Sequence, residues 1–285
     1  GQKSPALSCD RPAGRSFESI LPMSESTAIL LLSVYAVVTV WLIVWRVRRY
    51  DVNGLAWMLY CVERVFVGLM WRWRSDRPCP FPSDGAALVI ANHSSASDPM
   101  QLWMNHHLGS GRRNVRTISF MMAREYYEKP VIGWICRKLR SVPLARNGRD
   151  MGAIRETLRL LSDGNLVGVF PEGRINLKGV GLLEGNPGVG WLALKARVPV
   201  YPVFLSGVPG GSDMVAPFLN RAHVRVSYGD PVDLSEFYGR ATTPELLEEV
   251  TGILMRALGR QGGIECDGQT DPVIIPGPGL VRRTG

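Results

Sequence analysis

The pattern of hydrophobic and polar positions first sets apart a stretch near the N-terminus. The segment Thr27–Trp45 carries no charged residue. At 1.5 Å of rise per residue, a helix of this length spans about 28 Å, close to the apolar thickness of a bilayer. Arg46, Arg48 and Arg49 follow directly, which favours a retained anchor over a cleaved signal peptide. We therefore predict a membrane helix, either spanning the bilayer or forming one arm of a half-buried hairpin.

The second apolar stretch, Leu55–Trp73, has the periodicity of an amphipathic helix but contains Glu63, Arg64 and Arg72. Its tryptophans and arginines fit an interfacial helix beside anionic headgroups. A helix packed on the following domain explains the same pattern equally well, and both interpretations stay open. The arginines after the first helix predict that the part of the chain that follows this helix lies on the cytoplasmic face of a membrane.

From residue 78 onwards, short apolar runs alternate with helical patterns. The predicted strands are Ala86–Ala91, Val115–Met121, Val142–Leu144, Leu166–Phe170, Val200–Leu205 and Ala222–Tyr228. The predicted helices are Pro99–Leu108, Lys129–Leu139, Asp150–Ser162, Gly190–Ala196 and about Thr243–Arg260. This alternation predicts an α/β domain with a mostly parallel sheet flanked by helices. The predicted organisation is a mobile leader (1–23), a two-helix membrane-associated element (24–77), this domain (78–261) and a disordered tail (262–285).

Composition narrows the kind of partner. The net charge of +8 indicates an anionic partner. The basic residues lie beside the apolar helices and the predicted site rather than among aromatics on one face, so we expect phospholipid and a membrane, not nucleic acid. The five cysteines are scattered and form no Cys-x-x-Cys pair, which predicts neither a metal site nor a disulfide framework.

A histidine and an aspartate follow the first predicted strand of the domain. Asp98 before Pro99 marks a helix start, with a carboxylate at the N-cap and proline at the first helical position. The strand end and the helix start can bring His93 and Asp98 together across a tight turn. A carboxylate on one imidazole nitrogen leaves the other free to take a proton from an alcohol. The spacing is common by chance, so the interpretation needs further motifs.

A second charged cluster, Pro171–Arg174, follows the predicted strand Leu166–Phe170. Residues at the carboxyl end of a buried strand occupy the position where α/β folds bind ligands. Gly173 allows a sharp turn between Glu172 and Arg174, and the arginine offers a forked donor suited to phosphate. A surface turn with an incidental ion pair is the alternative.

Four motifs occur in the order found in one family of enzymes. They are Asn92–Asp98 (NHxxxxD), Val142–Arg146 (VPLAR), Phe170–Arg174 (FPEG and an arginine) and Val198–Val203 (VPVYPV). Over about residues 55–240 the chain resembles the glycerol-phosphate and lysophosphatidate acyltransferases. This resemblance implies an α/β domain with an acyl-chain tunnel and a two-helix membrane-associated element at the N-terminus.

The resemblance also implies a reaction and its participants. A fatty acyl group would move from acyl-CoA or acyl-carrier-protein to the hydroxyl of a lysophospholipid, foremost 1-acylglycerol-3-phosphate to give phosphatidate, with no further cofactor. His93 would be the general base and Asp98 its orienting partner. By the same resemblance, three arginines would bind the acceptor's phosphate, and a glutamate and a glycine would shape that site: Arg124, Arg146, Arg174, Glu172 and Gly173.

One departure from the family pattern leaves alternatives open. Arg174 follows Gly173 directly, whereas the commoner motif has threonine between the glycine and the arginine. The form FPEG-basic-x-Asn resembles tafazzin-like transacylases, which take the acyl group from another phospholipid. The alternative from another class is a non-catalytic membrane lipid-binding protein.

Overall fold

The computed structural model describes residues 25–48, 54–108, 116–145, 150–178, 181–211, 213 and 215–264. The predicted leader and all but residues 262–264 of the predicted tail lie outside these ranges, as does Arg146. The chain divides into two compact units, Gly1–Arg46 and Val47–Gly285.

The N-terminal unit contains most of helix α1, Glu25–Arg48. Its large apolar side chains are exposed along the helix, as in Leu32 and Tyr35. Among the described residues, no helix has both the length and the apolarity needed to cross a bilayer. The predicted membrane-spanning helix is therefore not confirmed.

Helix α2, Gly54–Met70, belongs to the larger unit and packs on the sheet. Val67 is buried, and Phe66 and Met70 pack against the same apolar cluster. The interpretation of this stretch as a helix packed on the domain is thus confirmed. The opposite face of α2 stays exposed and apolar, with side chains four, three and four positions apart: Met58, Val62, Val65 and Leu69.

The larger unit is an α/β domain built on a seven-stranded sheet of described residues. The strands are β1 (Arg74–Ser75), β2 (Ala87–Ala91), β3 (Ile118–Ala123), β4 (Val142–Leu144), β5 (Leu166–Val169), β6 (Val200–Ser206) and β7 (Arg225–Tyr228). Their order is β1-β7-β6-β2-β5-β3-β4. Neighbouring strands pair in parallel except β6 and β7, which are antiparallel. The predicted mostly parallel sheet is confirmed.

Helices cover both faces of this sheet. They are α3 (Asp98–Leu108), α4 (Arg124–Tyr127), α5 (Pro130–Lys138), α6 (Met151–Ser162), α7 (Pro187–Ala196), α8 (Ala216–Leu219) and α9 (Pro244–Gln261). Two apolar clusters form the core, one with α2 and α3 and the other with α6, α7 and α9. Every residue of β2 is buried, as a central strand between two helical layers requires.

Some boundaries differ from those expected. Helix α7 begins at Pro187 rather than Gly190, because the Asn186 side chain accepts the N–H of Gly188 and caps the helix one residue before the proline. Strand β7 begins at Arg225 rather than Ala222, and β3 at Ile118 rather than Val115. Strand β1 lies in a segment predicted to belong to the N-terminal helices; it pairs with Arg225 and Val226.

Candidate active site

The site begins where β2 ends at the carboxyl edge of the sheet. The side chain of Asn92 accepts the N–H of Leu205 at 2.6 Å and donates to its carbonyl oxygen at 2.9 Å. These two bonds tie the end of β2 to β6. The chain then turns through residues 93–97 into α3, and the main chains of Ser94 and Ala96 pair with Gly211. The segment that carries the predicted histidine and aspartate is thus fixed on one side by β6 and the loop after it.

His93 and Asp98 form the predicted contact. The imidazole Nδ1 lies 2.9 Å from Asp98 Oδ2, and the same oxygen accepts the N–H groups of Ser94 at 2.7 Å and Ser95 at 2.8 Å. An ionised carboxylate accepts, so Nδ1 donates and Nε2 is the basic nitrogen. The imidazole stacks on the ring of Phe170 with centroids 4.1 Å apart. The carboxylate and the ring fix the orientation of the histidine.

The surroundings of Asp98 have opposing effects on the ionisation of its carboxyl group. Burial raises the pKa of Asp98, while the hydrogen bond and charge of His93 and the N–H groups of Ser95 and Ser94 lower it. The side chain of Asp98 is fully buried, whereas that of His93 is 17% exposed. The aspartate therefore acts on a substrate only through the histidine, and the histidine can reach one.

Glu172 connects the catalytic loop to the loop that follows β5. Its Oε1 accepts the backbone N–H of His93 at 2.8 Å, and its Oε2 accepts that of Leu183 at 2.8 Å. Burial raises the pKa of Glu172, and the two N–H groups lower it. Because both oxygens are engaged, Glu172 sets the main chain around His93 and does not itself face a substrate.

Asn176 holds the other side of the histidine main chain. Its backbone N–H donates to the carbonyl oxygen of His93 at 2.6 Å. Its side chain donates to the carbonyl oxygen of Gly181 at 3.2 Å and accepts the N–H of Lys178 at 3.1 Å. The backbone N–H of Asn186 closes the base of the same loop on the carbonyl oxygen of Pro171 at 2.8 Å. Hydrogen bonds thus join the described residues of this loop to one another and to the main chain of His93.

A cavity of about 680 Å³ opens beside His93. One part of its wall is apolar: Met121, Leu144, Ile154, Val169, Val189 and Leu192. Its polar residues include His93, Asp150 and Arg174. A cavity that is mostly apolar with a few convergent polar groups fits a ligand with an alkyl chain and a charged headgroup.

Of the residues predicted to bind the acceptor, some line the cavity and others do not. Arg174 and Gly173 line the cavity, and Arg174 is exposed. Arg124 lies at its edge, where Nη2 is 3.3 Å from Asp150 Oδ2. Asp150 also caps α6, and the N–H groups of Ala153 and Ala145 lower its pKa, with Arg124 contributing further. The structure therefore brings His93, Gly173 and Arg174 to one cavity and pairs Arg124 with a carboxylate of its wall.

Sequence reasoning did not single out Asn92, Asn176 or Asp150 as site residues. Asn92 stood inside the first motif, so its position was a usable signal. Asn176 stood in the FPEG-basic-x-Asn form, and Asp150 at the start of a predicted helix. What no local pattern indicates is the contact of Asp150 with Arg124 and the bond from the Asn176 N–H to the carbonyl oxygen of His93, which join distant segments. In the part of the chain that the structure describes, no group of three or more metal-ligating side chains lies together.

The family model described as Acyltransferase matches residues 74–206. This range includes the His93–Asp98 pair and Glu172. The 1-acyl-sn-glycerol-3-phosphate acyltransferase of Bacillus subtilis is 23% identical over 156 residues, which is 55% of this chain and 71% of that protein.

Two further relatives are matched over part of their length. An uncharacterized protein of Mycobacterium tuberculosis is 31% identical over 147 residues, 48% of this chain and 37% of that protein. The N-acylphosphatidylethanolamine synthase of Arabidopsis thaliana is 24% identical over 160 residues, 51% of this chain and 55% of that protein.

The fold is similar to a solved structure. The 1-acyl-sn-glycerophosphate (LPA) acyltransferase of Thermotoga maritima superposes with a TM-score of 0.55 at 23% identity, covering 84% of this chain and 98% of that one. At this identity the superposition shows the fold, and the arrangement of the site rests on the distances given above.

Proposed function

Since this chain belongs to the glycerolipid acyltransferase family and is an acyltransferase enzyme, we propose that it transfers a fatty acyl group to the hydroxyl of a lysophospholipid. The observation that carries the proposal is the 2.9 Å contact between His93 Nδ1 and Asp98 Oδ2 at the wall of the cavity. The non-catalytic lipid-binding alternative is disfavoured because His93, Asp98 and Glu172 are all present.

The chemistry is a direct acyl transfer. The acceptor hydroxyl loses its proton to His93 Nε2 as its oxygen attacks the acyl carbonyl. The new carbon–oxygen ester bond forms, the carbon–sulfur bond of a thioester donor breaks, and the proton leaves with the thiol. General-base assistance of this kind contributes about 10²–10⁴-fold. Asp98 holds the imidazole in the required tautomer and stabilises the cation that forms.

The acceptor we propose is 1-acylglycerol-3-phosphate, giving phosphatidate. Arg174 supplies a guanidinium on the cavity wall, with Arg124 beside it at the edge. A planar guanidinium suits phosphate because it offers paired N–H donors. We also assign Arg146 to this phosphate, as the family motif implies. The Bacillus and Thermotoga relatives carry names that specify this same acceptor.

For the donor we propose acyl-CoA or acyl-carrier-protein, with no further cofactor. The apolar wall of the cavity supports a fatty acyl chain in either case. A second candidate is transfer from another phospholipid, as in tafazzin-like enzymes. It is favoured by the FPEG-basic-x-Asn form of the motif, in which Arg174 directly follows Gly173. Asn176, the last residue of this form, is buried and its side chain donates to the carbonyl oxygen of Gly181.

We also propose that the enzyme works at a membrane surface. Support comes from the exposed apolar side of α2, where Val62, Val65 and Leu69 are each more than half exposed. A helix with one buried and one exposed apolar side suits a boundary between protein and lipid. The cytoplasmic side of that membrane stays a prediction.

The test combines donors and acceptors. Purified protein and an Arg174→Gln variant are incubated with acyl-CoA, acyl-carrier-protein or a diacyl phospholipid as donor, and products are identified by mass. Lysophosphatidate is compared with lysophosphatidylcholine as acceptor. The proposal predicts phosphatidate from a thioester donor, and a higher KM for lysophosphatidate in the Arg174 variant. Transfer only from the diacyl phospholipid would establish the second candidate instead. Absence of product with every pair would refute both.

A further inference from the structure

Three rings form one stack that begins at the base. The imidazole of His93 and the ring of Phe170 have centroids 4.1 Å apart and planes 15° from parallel. The ring of Phe120 follows, with its centroid 5.9 Å from that of Phe170 and its plane 14° from parallel. Phe170 lines the cavity, whereas Phe120 is buried in the core and lies outside the cavity wall. The base therefore stacks on a ring that is itself supported by a second, buried ring.

A glycine inside β5 makes room for the second ring. Gly168 is the parallel register partner of Phe120 on β3. A Cβ on Gly168 would clash with Cε1, Cδ1 and Cζ of the Phe120 ring, so this ring occupies the space of the missing side chain. Glycine weakens a strand and often marks the close approach of another group. Because side chains two positions apart share a face of a strand, Phe120 lies on the face from which Phe170 projects.

The aromatic face matters for the charge that forms on the base. When the acceptor hydroxyl gives its proton to Nε2, the imidazole becomes a cation held between Asp98 and the ring of Phe170. An aromatic face attracts a cation that lies within about 6 Å of the ring centroid. The imidazole lies well inside that distance. The ring thus stabilises the protonated base more than the neutral one.

We propose that Phe170, Phe120 and Gly168 position the base as one unit, called the positioning stack below. The face of Phe170 stabilises the imidazolium of His93 that forms during acyl transfer, and Phe120, lying over Gly168, holds that face in place. This inference rests on the proposed function, since the imidazolium forms only if His93 takes a proton from the acceptor.

The ionisable groups around the imidazole stay the same in all the variants used below. Asp98 contacts Nδ1, and Glu172 accepts the backbone N–H of His93. Of the described residues, three further ionisable ones line the same cavity: Tyr126, Asp150 and Arg174. A change in pH dependence on replacing Phe170 therefore reports the loss of its aromatic face.

The experiment measures acyl transfer to lysophosphatidate by the full chain and by variants of the positioning stack. The variants are Phe170→Leu, Phe120→Val, Gly168→Ala and the double variant Gly168→Ala/Phe120→Val. The control is Phe237→Leu, which replaces a buried ring of the other apolar cluster. The kcat, the KM and the pH profile of kcat/KM are determined for each protein, and thermal unfolding shows which variants fold.

The Phe170→Leu variant tests the aromatic face directly. Leucine keeps an apolar side chain but has no aromatic face, so kcat should fall about tenfold. The acid limb of the pH profile should move to lower pH by about half a unit, since the protonated base loses part of its stabilisation. The control variant should change neither quantity.

The other variants test whether Phe120 acts through Phe170. Gly168→Ala should lower kcat about tenfold or more with little change in KM, because the new methyl group displaces a ring that lies outside the cavity wall. Phe120→Val should lower kcat about threefold, since the support of Phe170 is lost. The double variant should recover to the kcat of Phe120→Val, because valine has none of the ring atoms that the alanine meets.

Three results would overturn the proposal. An unchanged acid limb in Phe170→Leu would mean that the ring has only a structural role. A double variant no faster than Gly168→Ala would mean that the glycine does not act through Phe120. If Gly168→Ala does not fold, Phe120→Val decides, and a wild-type kcat in that variant would show that Phe170 needs no support.

The proposed function and this inference can fail separately, because NMR of the imidazole protons needs no substrate. These protons lie over the face of Phe170 and should move downfield in Phe170→Leu; a His93→Gln variant assigns them among the four histidines. If they move but the wild type transfers no acyl group to any acceptor, the stack around His93 stands and the proposed reaction is refuted. Transfer by the wild type without this movement would refute the stack and leave the reaction standing.

Discussion

The carboxylate of Glu172 accepts the backbone N–H of His93 at 2.8 Å, although the two residues lie on loops after different strands. The other carboxylate oxygen accepts the N–H of Leu183. A buried side chain of the FPEG motif thus determines where the main chain of the histidine lies. The motif contributes to the site by positioning the base as well as by supplying Arg174 to the cavity.

Replacement of Glu172 by glutamine tests whether this side chain positions the main chain of His93 or binds the acceptor. An amide can accept only one of the two N–H groups, and its NH₂ would face the other. We expect kcat to fall about tenfold or more, since a small displacement of the base lowers the rate strongly. Steady-state kinetics measure this. The control is Glu184→Gln, an exposed glutamate of the same loop. Equal kcat values for the two variants would contradict the positioning role.

The Asp98→Asn variant tests the orienting carboxylate. Asparagine can donate to the imidazole and favour the wrong tautomer, so kcat should fall by about 10²–10⁴-fold. Thermal unfolding should show that the variant folds. Asp163→Asn is the control, because Asp163 is an exposed partner of Arg159. A loss of less than about threefold in kcat would mean that His93 does not depend on this tautomer.

The Asn176→Ala variant tests the loop that follows β5, several residues of which line the cavity. It removes the two side-chain hydrogen bonds to Lys178 and Gly181 but keeps the backbone bond to His93. At about 1 kcal/mol for each bond, about 2 kcal/mol is lost, so the acceptor KM should rise about thirtyfold while kcat changes little. The control is Asn165→Ala, since Asn165 lies at the amino end of β5, away from the cavity. A fall in kcat with constant KM would show a direct catalytic effect instead.

A buried carboxyl of α2 predicts a pH dependence of stability. Burial raises the pKa of Glu63 well above its usual 4.5. The folded state therefore binds this proton more tightly than the unfolded chain. The free energy of unfolding should decrease as pH rises from about 4.5 through the folded pKa.

The Glu63→Gln variant should lack this decrease and be more stable than the wild type at neutral pH. Urea unfolding at acidic and neutral pH measures the difference. Glu248→Gln on the exposed side of α9 serves as the control. A Glu63→Gln variant less stable than the wild type at neutral pH would show that the charged form is favoured in the fold.

Much of the fold follows from local pattern. Strands such as Leu166–Val169 are continuous apolar runs at the length that a buried parallel strand needs. Strand β1 has two residues, too few for any periodicity, and exists because Arg74 and Ser75 pair with β7. The antiparallel direction of β7 likewise depends on the long connection after β6, which no local pattern encodes.

The site was predictable where one motif contains both partners. His93 and Asp98 are five positions apart, so a turn into a helix brings them together. Arg124 was expected at phosphate from its motif position. Its contact with Asp150, 26 positions later, depends on how β3 and the start of α6 meet. Contacts of this kind follow from the packing of the sheet, and only the folded structure shows them.

The most direct test of the central claim is acyl transfer to lysophosphatidate by the wild type and by His93→Ala, with phosphatidate measured by mass. Both proteins should fold, because His93 is part exposed and its main-chain bonds remain. We predict phosphatidate from the wild type and a rate at least about 10²-fold lower from the variant. Equal rates would contradict the account, since no other residue is assigned to take the proton from the hydroxyl.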